Sequence, residues 1–268
     1  MSATAASQRV RLKSIALPPE HGAWGFLLEP LVAGLLIAPS WAGLSLALGV
    51  VGAFLARHPL KIALTDRVKG KRYARTAAAE RVAAVYCALG ATGFAGAVAL
   101  AGFGVLVPLV LAAPLALVLF AGALSNRARD LLPELAGAVA LAVSAASIAL
   151  AGGESLAVAL ALWAILAARD VPSILYVRAR LRLERGKPHA PAVVWASNGL
   201  AVAAILALVL AGAAPVLALA AMVVLAIRAA HGLSPYRAGS RAQTIGFLEM
   251  GYGLLTVILA AAGFVFGM

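Results

Sequence analysis

Residues 134–168 read ELAGAVALAVSAASIALAGGESLAVALALWAILAA. Two apolar stretches, 134–151 and 155–168, are divided by Gly152, Gly153 and Glu154, and Arg169 follows at once. This pattern predicts a tight membrane hairpin: each stretch approaches the length that crosses a hydrocarbon core of roughly 30 Å as a tilted helix, and the turn between them is too short for anything else. Seven further stretches of the same kind fill most of the remaining chain, at 22–38, 41–56, 82–101, 103–124, 192–211, 216–227 and 244–266. The expected fold is all-α, a polytopic bundle of about nine transmembrane helices forming a single integral membrane domain over 1–268.

Charge gives the orientation. The 22 lysines and arginines fall within 1–17, 57–81, 127–129, 169–187 and 228–241, whereas the alternate connections carry one charge, Glu154. By the positive-inside rule the N-terminal segment 1–17 and the basic loops 57–81 and 169–191 are cytoplasmic, and the C-terminus lies outside the cell (inner) membrane. The first stretch contains Glu29 and Pro30 and leads directly into the second, so it reads as a retained helix rather than a cleaved signal.

A hydrophobic fraction of 63 % with 12 % charged residues excludes an ordinary soluble domain. The net charge of +12 is spread over segments next to the bilayer, where it serves orientation and attraction to anionic headgroups, so no nucleic-acid partner is expected. Cys87 is the single cysteine, which excludes an internal disulfide and a thiolate metal cluster.

The two long basic segments open alike, Ala56-Arg57-His58-Pro59 and Ala168-Arg169-Asp170-Val171-Pro172. They sit four spans apart, on one membrane face, as in a pair of parallel half-repeats. In the first, Arg57, Lys61, Arg67 and Lys71 suit phosphate oxygens, and Asp66 suits a divalent ion bridging them. In the second, Arg178 and Arg182 lie one helical turn apart, and topology does not require Asp170. His21 and Tyr176 are candidate acceptor-positioning or proton-accepting groups. Glu29 and Glu249 fall inside predicted spans, where an ionised carboxylate is costly and a functional role or a basic partner is expected.

The segment Pro18-Pro19-Glu20-His21-Gly22-Ala23-Trp24 resembles the N-terminal signature of the YwiC-like family of bacterial membrane proteins, for which the resemblance implies no particular reaction. More distantly, nine helices with paired active segments after the second and sixth look like the UbiA superfamily of intramembrane prenyltransferases. That resemblance implies a prenyl diphosphate held by Mg²⁺ on two aspartate-rich motifs. Aligned on them, Asp66 keeps one acid of the first motif while His58, Pro59 and Ile62 replace the others, and Asp170 keeps one acid of the second while Ile174 replaces its partner. The segment Asp170-Val171-Pro172 with Tyr176 and Arg178 is similar to the haem O synthase branch. A site with so few acids holds Mg²⁺ weakly unless the phosphates supply most ligands, although arginines can replace the metal for binding.

The function expected is therefore a UbiA-like membrane protein binding a polyprenyl diphosphate or related anionic lipid, with divergent prenyl transfer as its chemistry. The alternatives are a proton-coupled small-solute transporter built on Glu29 and Glu249, and a non-catalytic membrane partner of a respiratory or cofactor-assembly complex.

Overall fold

A computed structural model describes residues 12–18, 23–70 and 72–268. The described chain is helical throughout: α1 (Leu12–Ala16), α2 (Ala23–Ile37), α3 (Trp41–Val68), α4 (Ala74–Ala101), α5 (Val107–Leu124, preceded by a 3₁₀ turn), α6 (Leu131–Ala151), α7 (Leu156–Glu184), α8 (Pro191–Leu210), α9 (Val216–Gly232) and α10 (Ala242–Phe266). Among the described residues, seven helices are long and apolar enough to cross a membrane. The other two apolar helices, α2 and α9, have 15 and 17 residues, at or below the usual lower limit for a span. The protein is a multi-pass membrane helix bundle.

The apolar stretches all become helices, but the two basic segments differ from the expected loops. α3 continues twelve residues past Ala56, through Pro59, to Val68, and α7 continues through Pro172 to Glu184. Among the described residues, what remains non-helical is short: 69–70, 72–73 and 185–190. The extensions are held by packing absent from the hydropathy pattern: Ile15 of α1, Ala63 of α3 and Ala79 of α4 form a small buried core beside the main bundle, and Arg67 donates to Glu80 at 2.7 Å across the α3–α4 turn.

Small residues make the bundle dense. α6 is central, lying against α2, α3, α5 and α7, and Ala142, Ala145, Ala146 and Ala149 on it are fully buried with Ala33 of α2 and Ala159 of α7. Where apolar burial gives little drive for association, close backbone approach supplies dispersion contacts instead. The tightest seam joins α3 to α4. A Cβ on Gly52 would stand 2.6 Å from Gly90 Cα, so only glycine fits there. Large apolar side chains face outward, among them Leu111, Leu200 and Phe247, as expected of a surface that meets lipid.

Alternating helix directions bring the ends of α3, α5, α7 and α9 and the starts of α4, α6, α8 and α10 to one end of the bundle, which collects the basic residues.

Candidate functional site

Two polar features occupy the basic end. The first is a cavity of about 780 Å³ between α2, α3, α5, α6 and α7. Arg57, Arg129, Arg178, Arg182 and Arg185 line its mouth, with Glu134 as the one acid. Its deeper wall is apolar, formed by Phe26, Phe54, Leu119 and Leu141. Glu134 anchors one arginine: Arg178 Nη1 donates to Glu134 Oε2 at 2.6 Å and to the Arg129 carbonyl at 2.9 Å. Arg57 lies over the Phe54 ring, 5.3 Å from its centroid. Among the described residues, Arg129, Arg182 and Arg185 have no acidic partner. Five guanidinium groups, each a planar fork of hydrogen-bond donors, therefore stand beside an apolar wall in one cavity.

The second feature is a charged cluster inside the bundle. Arg169 of α7 is 3 % exposed and donates from Nη2 to Glu29 Oε1 of α2 (3.0 Å) and to the Glu249 carbonyl of α10 (2.9 Å), and from Nη1 to Asp170 Oδ1 (3.2 Å). Arg228 of α9 pairs with Glu249 Oε1 through Nη1 and donates from Nη2 to Ser173 Oγ at 3.2 Å. Its guanidinium lies over the ring of Tyr176, 4.2 Å from the centroid, and beside Tyr252. Glycine makes room for this cluster: a Cβ on Gly253 would come within 2.5 Å of Arg169 Nη2 and would overlap the Glu29 carboxylate. Phe26 separates the two features, its ring 5.7 Å from the Arg169 guanidinium on one side and lining the cavity on the other.

Of the residues expected to bind diphosphate, Arg57, Arg178 and Arg182 meet in the cavity. Lys61 and Arg67 are outside its lining; Arg67 is committed to Glu80. Lys71 and His21 lie outside the described residues. Tyr176 is 6 % exposed and sits beneath Arg228 rather than in the cavity wall. Glu29 and Glu249 find basic partners: Arg169, 140 residues along the chain from Glu29, and Arg228 on α9, the helix that precedes α10. The sequence reading missed Arg129, Arg185 and Glu134 in the cavity and Arg228 in the cluster. Arg228 carried a weak signal, since it directly follows the apolar stretch 216–227.

The two aspartates do not form a shared metal centre. Asp66 is 1 % exposed and accepts through Oδ1 from Arg75 Nη2 (2.8 Å) and through Oδ2 from Arg75 Nε (3.1 Å) and Thr76 Oγ1 (2.8 Å). Asp170 is bound to Arg169 inside the bundle, and neither aspartate lines the cavity. Among the described residues no group of three His, Cys, Asp or Glu side chains converges on a point where a metal ion would sit. This donor set does not fit Mg²⁺, which favours exposed carboxylates together with phosphate oxygens. Asp66→Asn is accordingly expected to act on folding. It weakens a bidentate pair at the α3–α4 turn and lowers the unfolding temperature equally with or without added Mg²⁺, as differential scanning fluorimetry would measure.

Comparison with known proteins bears on the first half of the chain. The family model described as YwiC-like protein matches residues 17–149. No curated protein matches, and no solved structure matches. The matched region ends within α6, so it supplies Phe26, Phe54, Arg57, Leu119, Arg129, Glu134 and Leu141 to the cavity and Glu29 to the cluster, while Arg178, Arg182 and Arg185 of the cavity and the other cluster residues come from beyond it.

Proposed function

Taking as premise that the chain belongs to the YwiC-like family through residues 17–149, we propose that it binds a polyprenyl diphosphate or a related anionic lipid at the basic end of the bundle, with that end in the cytoplasm and the bundle in the cell membrane. The observation that carries this reading is the joining of five arginines and an apolar wall in one cavity. The headgroup would be neutralised by forked guanidinium hydrogen bonds, which match two phosphate oxygens at once, and the hydrocarbon chain would lie against Phe26, Phe54 and Leu119.

The UbiA-like comparison gains support from the way α3 and α7, the two helices that carry the similar motifs, both run past an internal proline and deliver arginines to the same cavity. In this reading arginines occupy the electrostatic role that Mg²⁺ has in that superfamily. Cations so placed would also stabilise a diphosphate leaving group, which is the requirement for prenyl transfer.

The test is thermal unfolding of the purified protein in lipid nanodiscs with farnesyl diphosphate, geranylgeranyl diphosphate, the matching prenyl alcohols and inorganic diphosphate. A ligand that binds only the folded state raises apparent stability. Stabilisation by the prenyl diphosphates without added Mg²⁺, and less by either half alone, is the expected result. A strict Mg²⁺ requirement would return Asp66 and Asp170 to a metal role, and equal indifference to all five compounds would overturn the reading.

A further inference from the structure

The triad Glu29, Arg169 and Asp170 holds two carboxylates and one cation. Arg169 bonds one oxygen of each acid, at 3.0 and 3.2 Å. Glu249, the nearest further acid, already has its own counter-ion in Arg228. Together the five groups carry three potential negative charges against two positive ones.

Among the described residues, no element packed against α2 brings a second cation to the triad. α6, packed along α2, has Glu134 as its sole ionisable side chain, and that lies in its first turn bound to Arg178. On α3, Arg57 lines the cavity, His58 bonds the Ser14 carbonyl at 3.1 Å, Lys61 is half-buried outside the cavity lining, and Asp66 and Arg67 are engaged with α4. On α10, Glu249 and Tyr252 face Arg228. Within α7, Tyr176 lies under Arg228, Arg178 is bound to Glu134, and Arg180 is bound to Glu184.

Glu29 is 9 % exposed, and its Oε2 is buried without a hydrogen-bond partner among the described residues. An uncompensated carboxylate oxygen at this depth is expensive, and the excess charge can be removed in place by a single bond. We propose that Glu29 binds a proton, making the triad a one-proton site inside the bundle. The O–H bond forms on Oε2; Oε1 goes on accepting from Arg169, which then serves Asp170 as a full counter-ion. Nothing is oxidised or reduced, and the proton comes from water at the basic end. A proton fits this position better than a metal cation, which the Arg169 guanidinium bonded to Oε1 would repel. Six residues separate Glu29 from the start of α2, about 9 Å along the helix, so the aqueous phase is near.

Infrared difference spectroscopy of the full chain in nanodiscs reads the bond directly. At neutral pH the wild-type protein should show the carbonyl band of a protonated carboxylic acid, amounting to one group per chain. The band should shift when glutamate is ¹³C-labelled in its side-chain carboxyl and stay in place when aspartate is. It should vanish in Glu29→Gln, which mimics the protonated acid and is expected to fold, and persist in Glu249→Gln. Absence of the band in the wild-type protein, a shift on aspartate labelling, or its survival in Glu29→Gln overturns the proposal. The labelling arm needs no substitution, so an unfolded variant does not remove the test.

Discussion

Arg169→Leu is expected to prevent the protein from folding stably. The guanidinium is the shared partner of Glu29 and Asp170 and also ties α7 to the Glu249 carbonyl on α10. Its removal leaves Asp170 without its cation and Glu29 without its donor, and breaking a buried ion pair by removing one member typically costs about 3 to 5 kcal/mol. That range is a large share of the total stability of most domains, roughly 5 to 15 kcal/mol. The measurement is the yield of monodisperse protein and its unfolding temperature in nanodiscs. A triple variant, Arg169→Leu with Glu29→Gln and Asp170→Asn, should recover much of the loss, because no unpaired charge is left inside the bundle. A single variant as stable as the wild type would show that the triad is wet and screened rather than buried.

Arg129→Gln combined with Arg182→Gln is expected to abolish ligand stabilisation while leaving the fold intact. Both side chains are exposed, line the cavity and have no acidic partner among the described residues, so their loss breaks no internal ion pair. Each hydrogen bond to a charged group contributes on the order of 1.5 to 3 kcal/mol, so losing two weakens binding by about a hundredfold or more. Arg178→Gln is a poorer probe, since it also releases Glu134 into the cavity, where a free carboxylate repels the headgroup. Unfolding temperatures with and without geranylgeranyl diphosphate separate the two effects. Unaltered stabilisation in the double variant would place the ligand elsewhere.

The spans were legible because a helix inside a bilayer is apolar at nearly every residue, whether it meets lipid or other helices, as in the stretches 134–151 and 155–168. Their basic continuations were not, because the helicity of 57–68 and 169–184 depends on neighbours: Ile15 and Ala79 cover Ala63, and Glu80 takes Arg67. The cavity was legible in part. Arg57, Arg178 and Arg182 stood out as cations at helical spacing, but Arg129 and Arg185 join them only because α5 and the end of α7 converge. Asp66 looked like a metal ligand in isolation, and Arg75 and Thr76, which hold it, stand across the turn between α3 and α4. Glu29 and Glu249 announced an intramembrane site by their chemistry. The partner of Glu29, Arg169, stands 140 residues along the chain from it, a separation that no local pattern encodes.

The unequal lengths of the helices also set a preference among bilayers. At 1.5 Å per residue, the 15 residues of α2 and the 17 of α9 reach about 22 and 26 Å, short of a typical hydrocarbon thickness of roughly 30 Å, whereas the 28 residues of α3 reach about 42 Å. Lipids beside α2 and α9 must shorten or splay to meet them, at fractions of a kcal/mol for each Å of mismatch. The protein should therefore be most stable in short-chain lipids and should partition toward thinner patches of a mixed membrane. Acyl-chain length thus becomes an experimental handle on the part of the bundle where α2 and α9 bring Glu29 and Arg228 to α10.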